Sequence, residues 1–377
     1  MLTLNEVNSN GQFAELEHDW SLVLENCGES NPYLTWDWVS TYWKHFGEGK
    51  TLRTLTINDH RGETVAIAPL RQTRYNFFGL FSYNVIEPLA FGFPHSMYSG
   101  IMLPKWQNLK IQDECLKLFL CHLHQSKNWD FIYLFDLQET SILPGLLRQR
   151  KCTSEFNYEF ERGSLCYYTV LPSSPDLLMK SLSARFRHHL RGFERRLEKT
   201  YGKVEFKTFH EWGSVEKTFK VLVELTQKSR PENIWDKKLH GFFLELSKKL
   251  AEHNRLALNF LIVNNKPVAS LYCIEHEHKI HYLFGGFDPE YSQYSTGNLL
   301  MQKAMENYIQ KGILEFSFGK GKNYDLSKYR YPMSMRRTWD IRFKNRTASA
   351  SLYNFGIRTA KQTRIDPREL NRFLYAQ

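Results

Sequence analysis

The chain has 377 residues and a formal net charge of +10 at pH 7. Hydrophobic residues make up 42% of it and aromatic residues 15%, which excludes a disordered chain and allows a large buried core. The length favours two domains, and the excess positive charge favours an anionic partner: a nucleotide cofactor, a nucleic acid, an anionic glycan or a membrane surface.

Signals for export, membrane insertion and metal binding are weak. The first residues include acids where a signal peptide has a basic region, and no window holds about 18 uninterrupted apolar residues. None of the six cysteines forms a C-x-x-C pair. His276, His278 and His281 have a zinc-compatible spacing but fall at a predicted hairpin turn. We therefore expect a reduced, cytoplasmic protein without a membrane span or a metal site.

Alternating apolar and polar residues predict strands in the first half of the chain. In order, these are Thr51–Ile57, Glu63–Leu70, Val85–Phe91, Tyr98–Leu103 and Trp129–Leu137. A helix is predicted at about Asn108–Gln125, before the last strand. The start of this helix carries no glycine.

The second half repeats this order of elements more clearly. Its predicted strands are Arg255–Val263, Val268–Ile274, Ile280–Phe287 and Ile313–Phe318. Before the last of them, apolar residues recur every three or four positions over Gly297–Lys311, which predicts a helix that ends at Gly312. The repeat suggests two α/β units in tandem. A linker-like segment at Ser164–Asp176 places their boundary, giving domains 1–165 and 166–377.

The start of the second predicted helix, in QYSTGNLL, is suited to a phosphate. Ser295 or Thr296 can cap the helix, Gly297 lets a pyrophosphate approach the backbone, and Gln293 can reach a phosphate oxygen. The alternative is an ordinary capped helix with a glycine in its first turn. If one half binds a phosphate, it should be the second.

A longer stretch carries a family resemblance. The run FGGFDPEYSQYSTGNLL, followed by FSFGKGKNYDLSKYRYP, resembles the C-terminal core of the CelD-type acetyltransferase domain. That group belongs to the GNAT acyltransferase superfamily and is related to the FemABX-like transferases. The basic segment from Leu182 and the segments Tyr33–Phe46 and Val65–Arg71 are also similar, so the resemblance covers roughly residues 30–345.

The resemblance implies an α/β (α+β) fold of two tandem GNAT-like domains, each a mixed, mostly antiparallel sheet flanked by helices. It implies a donor site in the second domain and none in the first. The implied activity is N-acyl transfer from acetyl-CoA or another acyl-CoA to an amine of a sugar, a glycan precursor or another small acceptor, with a link to polysaccharide biosynthesis. In the usual GNAT loop the glycine follows the glutamine more closely, and Asn298 replaces the second small residue.

Two alternatives remain open for the function. FemABX-like relatives use aminoacyl-tRNA as the donor, which would make tRNA the one nucleic-acid partner. The other hypothesis is a non-catalytic module that binds an anionic glycan or a lipid carrier. The oligomeric state is not indicated by the sequence.

Ten residues are predicted to bind the donor. In GNAT proteins the strand before the loop offers a backbone N–H to the thioester carbonyl, and basic residues after the last core strand can hold a phosphate. The predicted residues are Phe284, Gly285, Gly286, Gln293, Ser295, Thr296, Gly297, Asn298, Lys320 and Lys322. For the glycine pair, a bulge that only bends the sheet is an equal alternative.

Three residues are candidates for proton transfer. Glu315 sits in an otherwise apolar strand, where alternation places it either in the cleft or towards solvent. Tyr324 follows the last core strand and can act as an acid or line the acceptor pocket. Asp288 precedes a proline, a pair that more often makes a turn.

A dense run of basic residues falls on one predicted helix: Arg185, Arg187, Arg191, Arg195, Arg196 and Lys199. It is either a stripe that binds RNA or another anion, or the solvated face of a helix that buries its leucines and phenylalanines. The second interpretation is favoured.

Overall fold

The computed structural model describes residues 1–28, 31–77, 79–92, 96–105, 109–126, 128–149, 157–230, 235–321 and 330–353. The chain divides into two units, one formed by Met1–Ser164 with Arg337–Gln377 and the other by Leu165–Arg336. The first boundary lies one residue from the predicted one. The stretch from Arg337 onwards differs from the prediction, because it joins the first unit instead of ending the second.

The elements of the first unit are β1 (Thr3–Val7), α1 (Asn10–Glu15), α2 (Glu17–Asn26), a 3-10 turn (Pro32–Leu34), α3 (Trp36–Phe46), β2 (Thr51–Leu52), β3 (Thr54–Asn58), β4 (Thr64–Ala68), β5 (Leu70–Phe77), β6 (Phe81–Pro88), α4 (Leu109–Gln125), β7 (Phe131–Gln138) and α5 (Ile142–Gln149). Strands β8 (Asn157–Val170) and β14 (Ser334–Lys344) each cross the division between the units. The predicted strand Thr51–Ile57 is two strands, since β2 pairs with β5 whereas β3 lies between β1 and β4.

Strands β6 and β7 of the first unit run parallel and are connected through α4. Strand β14 explains the position of the C-terminal stretch, because its residues from Thr338 to Lys344 pair with β7. Residues 106–108, directly before Leu109, lie outside the described ranges. The predicted lack of a donor site at this helix start therefore stays a prediction.

The elements of the second unit are α6 (Pro175–Ser181), α7 (Ala184–Tyr201), β9 (Val204–Phe209), a 3-10 turn (Trp212–Ser214), α8 (Val215–Ser229), α9 (Lys237–Glu252), β10 (Leu256–Val263), β11 (Lys266–His276), β12 (Lys279–Phe287), a 3-10 segment (Pro289–Tyr294), α10 (Thr296–Gln310) and β13 (Glu315–Lys320). The strand order is β8-β13-β12-β11-β10-β9, and only the β12–β13 pair is parallel. The predicted mixed, mostly antiparallel α/β fold is confirmed.

Tight turns set the register of the second unit. Asn264 and Asn265 connect β10 to β11, and Glu277 and His278 connect β11 to β12, all with positive φ. Two-residue turns of this kind match the twist of antiparallel strands. The apolar face of α10 then packs on β10, β11 and β13 in a single buried cluster.

An opening between β12 and β13 positions the site. The two strands pair only from Lys279 to His281 on β12. Beyond His281, β12 continues to Phe287 along β11 alone, as far as the described strands show. Separately, no helix in the described ranges is both long and apolar enough to span a membrane.

Candidate functional site

A cavity of about 390 Å³ lies at the end of β12. Five elements contribute to its wall: the end of α8, β11, β12, the 3-10 segment and the start of α10. Its described lining residues are Ser229, Arg230, Ser270, Leu271, Tyr282, Gly285, Gly286, Phe287, Ser292, Ser295, Thr296, Gly297, Asn298 and Met301. Hydroxyl groups and glycines dominate the list, and no carboxylate is in it.

The start of α10 presents backbone N–H groups to this cavity. Ser295 has left-handed backbone angles (φ 51°, ψ 44°), an uncommon conformation for a residue other than glycine. Its carbonyl accepts from the N–H groups of Asn298 (2.9 Å) and Leu299 (3.1 Å). The N–H groups of Thr296 and Gly297 have no acceptor inside the helix, because no carbonyl precedes them by one turn. Together with the helix dipole, they favour an anion at this point.

Gly297 is a cavity residue whose identity the protein's own packing does not explain. A Cβ added to it would meet no atom within 4 Å, and its φ is not in the left-handed region. Glycine in a helix is less stable than alanine by roughly 0.5–1 kcal/mol. Since Gly297 lines the cavity, the space beside it suits a ligand that approaches the backbone closely.

The neighbouring glycines have a different explanation. A Cβ on Gly286 would lie 2.4 Å from the backbone of Thr226 in α8, and one on Gly285 would lie 2.4 Å from the carbonyl oxygen of Ser270. Both positions are therefore kept small by the protein itself. Gly286 allows α8 to pack directly on β12.

Two hydroxyls at the cavity have no hydrogen-bond partner among the described atoms. Ser270 and Thr296 are each 1% exposed, and their side-chain oxygens are unpaired. A buried hydroxyl left unpaired is destabilising by about 1–3 kcal/mol. Such groups are uncommon in native structures and fit a site where a polar ligand binds.

Six of the ten predicted donor residues lie on the cavity: Gly285, Gly286, Ser295, Thr296, Gly297 and Asn298. Phe284 does not line it, and is buried against the rings of Trp235, Phe243 and Tyr272. Gln293 is exposed in the 3-10 segment, where its neighbour Ser292 lines the wall instead.

The predicted basic residues after β13 are only partly described. Lys320 is exposed at the end of β13 and does not line the cavity. Lys322 and Tyr324 lie outside the described residues. Their proposed contacts with a phosphate and with an acceptor therefore stay predictions.

Asp288 serves as an anchor for the loop before α10. It is buried and forms ion pairs with Lys228 (2.9 Å) and Lys266 (3.3 Å), and it caps the 3-10 segment by accepting from the N–H of Glu290. Burial opposes its ionisation, but the hydrogen bonds from Lys228 and Glu290 outweigh this and lower its pKa. The carboxylate is thus held charged at a point that does not line the cavity.

Glu315 lies at the other end of the parallel strand pair. It stands opposite Lys279 at the start of β12, and six residues of strand, or about 20 Å, separate that point from Gly285. Its carboxylate accepts from Arg336 at 2.6 Å, and the guanidinium of Arg336 stacks on Tyr168. The structure therefore does not bring Glu315 to the cavity.

Sequence reasoning missed eight lining residues: Ser229, Arg230, Ser270, Leu271, Tyr282, Phe287, Ser292 and Met301. Met301 could have been found, because it lies four positions after Gly297 on the same helix face. Ser229 and Arg230 come from the end of α8, whose packing on β12 depends on contacts between distant segments.

For the histidines, no group of three or more potential ligands in the described ranges is placed to hold a metal ion.

The basic helix α7 has one continuous cationic face. Phe186, Leu190 and Leu197 are buried, as the favoured interpretation expects. The exposed basic residues are Arg185, His188, Arg191, Arg195, Arg196 and Lys199. Arg187 differs from the prediction, because it donates to carbonyl groups at the end of α6 instead of joining that face.

Comparisons with known proteins address the same elements. Residues 184–331, from α7 to beyond β13, match the model of the acetyltransferase (GNAT) domain. No curated protein gives a significant match. A structure of FemX has a TM-score of 0.59 at 11% identity, covering 89% of this chain and 96% of that one. L-PGS from Bacillus licheniformis has a TM-score of 0.54 at 12% identity, covering 89% and 94%.

A third structure, a conserved protein of unknown function from Bacteroides thetaiotaomicron, has a TM-score of 0.55 at 10% identity and covers 92% of this chain and 100% of that one. Identities this low establish the fold alone. They agree with the domain match, which confirms the predicted resemblance to GNAT and FemABX-like proteins. Residues 184–331 thus carry the match to the GNAT acetyltransferase domain, and the chain has a FemX-like fold.

Proposed function

We propose that this chain is an N-acyltransferase of the CelD-like type, which transfers an acetyl or other acyl group from acyl-CoA to an amine of a sugar, a glycan precursor or another small acceptor. The observation that carries the proposal is Gly297: a glycine at a helix start, beside open space, on a cavity with unpaired N–H groups. The pyrophosphate of a coenzyme A thioester fits these groups.

The chemistry follows from the opening between β12 and β13. In this proposal the thioester arm runs along the unpaired side of β12, where backbone N–H groups near Gly285 stabilise the developing oxyanion. The amine nitrogen attacks the carbonyl carbon and the C–S bond breaks. The amine loses one proton, and the departing thiolate gains one. Tyr324 stays our proposed proton donor, since Asp288 and Glu315 are held in ion pairs away from the cavity.

Calorimetric titration with coenzyme A and with acetyl-CoA tests the donor. We expect the wild type to bind both, and Gly297→Asp to weaken binding by about 10- to 100-fold, because a carboxylate would occupy the phosphate position. Gly145→Asp is the matched control, since Gly145 also lies in a helix with open space at its Cβ but belongs to the first unit. Absence of binding to the wild type would contradict the coenzyme A donor.

The cationic face of α7 favours a second candidate, aminoacyl transfer from tRNA. Tyr201, at the end of α7, packs on Tyr291 and Tyr294 of the 3-10 segment, so the helix adjoins the cavity wall. Filter binding with charged tRNA over a salt series tests it: contacts to phosphates give a steep loss of affinity with salt. Arg191→Glu with Arg195→Glu should then weaken tRNA binding and leave coenzyme A binding unchanged. Wild-type affinity for coenzyme A without affinity for tRNA would exclude this candidate.

A further inference from the structure

We propose that Arg230 binds a carboxylate group on the substrate, so that the cavity selects either a dicarboxylic acyl group on the donor or an acceptor that carries a carboxylate. This inference rests on the proposed function of the cavity. Arg230 is the first residue after α8, and its backbone N–H donates to the carbonyl of Thr226 at 3.2 Å. It lines the same cavity as the start of α10.

Arg230 is the only residue with a formal charge among the described lining residues. It is exposed, and within the described part of the chain its guanidinium forms no hydrogen bond or ion pair. The start of α10 adds a second positive feature to the same cavity. One cavity therefore offers two separate places for negative charge and contains no described carboxylate to neutralise either.

The two positive features lie on opposite faces of β12. Gly286 faces α8, because Thr226 packs against it. Gly285 faces the other side, where the side chain of Leu271 lies in the core cluster that contains α10. Arg230 is one helical turn beyond Thr226 on the α8 side. If the donor phosphates bind at α10, Arg230 meets the part of the substrates beyond the thioester.

The anionic group that we propose for this second position is a carboxylate. The planar guanidinium binds a carboxylate with two parallel hydrogen bonds. Ser270, which pairs in register with Gly286, adds an unpaired hydroxyl at the same strand end. The carboxylate has two sources: the far end of the acyl group, as in succinyl-CoA, or the acceptor, as in an amino acid.

Matched substrates distinguish these sources. Wild type, Arg230→Gln and Arg230→Lys are compared with acetyl-CoA against succinyl-CoA, and with glycine against glycinamide, by calorimetric binding and by release of free thiol. Arg61→Gln, an exposed arginine of the first unit, is the control. We expect Arg230→Gln to lower binding or kcat/KM for the carboxylate-bearing member of one pair by about 10- to 100-fold, through KM, and to leave the member without that carboxylate unchanged. Arg230→Lys should recover part of the loss.

The outcomes separate this inference from the proposed function. If the wild type does not bind coenzyme A, the proposed function fails and the inference about Arg230, which rests on it, fails with it. A second outcome is that coenzyme A binds equally to wild type and Arg230→Gln, and that the substitution has no carboxylate-dependent effect in either substrate pair. The inference about Arg230 is then overturned and the donor site stands. A uniform loss for substrates with and without the carboxylate also overturns it, because that result indicates a role that does not depend on the carboxylate.

Discussion

The two units share one arrangement of strands and a helix but place different side chains at the same register position. Each has two parallel strands connected through a helix, β6–α4–β7 and β12–α10–β13. The next-to-last pair of the neighbouring hairpin is Arg71–Glu87 in the first unit and Ser270–Gly286 in the second. The first unit fills this position with a buried ion pair, and the second places a serine and a glycine there, on the wall of a cavity. The choice of side chains at one register position therefore separates a strand end that holds a satisfied ion pair from one that lines a cavity.

The ion pair of the first unit is fully satisfied. Arg71 donates to Glu87, to the hydroxyl of Tyr42 in α3 and to the carbonyl groups of Leu89 and Phe91. Glu87 also accepts from Thr73 and Tyr75. Because every charge has partners, the network is expected to fix the strand end and not to bind a ligand. In the second unit, α8 packs directly against Gly286.

The largest effect is expected from Glu87→Ala. Removal of one partner leaves the buried Arg71 charge without compensation, and we expect the free energy of unfolding to fall by about 3–5 kcal/mol. Urea unfolding monitored by circular dichroism measures it. The double variant Arg71→Met/Glu87→Leu is the control and should recover most of the loss, since it removes both charges. A loss below about 1 kcal/mol for Glu87→Ala would show that the pair does not hold the strand end.

Acidic pH should lower the stability of the second unit through a buried histidine. His281 on β12 is 3% exposed, and burial, together with the positive charges of Lys279 and Arg336 and with His276, lowers its pKa to about 3. The unfolded chain binds this proton near pH 6.5, so the stabilisation is present above pH 6.5 and is lost as pH falls towards 3. At about 1.4 kcal/mol per pH unit, the loss reaches about 2–3 kcal/mol by pH 4.5.

Urea unfolding of wild type and His281→Gln at pH 7.0 and 4.5 measures this contribution. The wild type should lose more stability than the variant between the two values, and hydrogen exchange should increase in β12 before it increases in β6. His276, which is also buried with a lowered pKa, remains in both proteins and sets the residual loss. Equal losses in the two proteins would show that His281 titrates normally in the folded state.

The sequence predicted the elements that local signals control. Strand β12 was expected at Ile280–Phe287 and is Lys279–Phe287, and helix α10 was expected at Gly297–Lys311 and is Thr296–Gln310. Periodic apolar residues and the two-residue turns are enough for these, because each depends on neighbours in the chain. The cavity residues near Gly297 followed from the same local reasoning.

Pairing between distant segments was beyond the same reasoning. Alternation could not show which end of β12 lies beside Glu315, since that depends on the parallel register with β13. Nor could it show that β14 joins β7, or that the end of α8 brings Arg230 to the cavity. These relations are set by tertiary packing, for which a single sequence carries no periodic signal.

The smallest effects are expected from two glycine-to-alanine variants, which test whether each glycine is required by packing or by a ligand. Gly286→Ala places a methyl group 2.4 Å from the Thr226 backbone, so α8 must move, and we expect a loss of about 1–3 kcal/mol in the free energy of unfolding. Gly297→Ala meets no atom and restricts the unfolded chain, so we expect a gain of about 0.4–1 kcal/mol. Urea unfolding without ligand measures both.

Saturating coenzyme A should then reverse the advantage of Gly297→Ala. A ligand that binds the folded state stabilises it in proportion to the logarithm of its concentration over Kd, and the added methyl group stands where the phosphate approaches. The variant should therefore gain less than the wild type from coenzyme A, although it is the more stable protein without it. A destabilising Gly297→Ala would mean that this glycine, like Gly286, is required by the fold. The strand end that lines the cavity in the second unit would then be a packing feature and not evidence of a ligand.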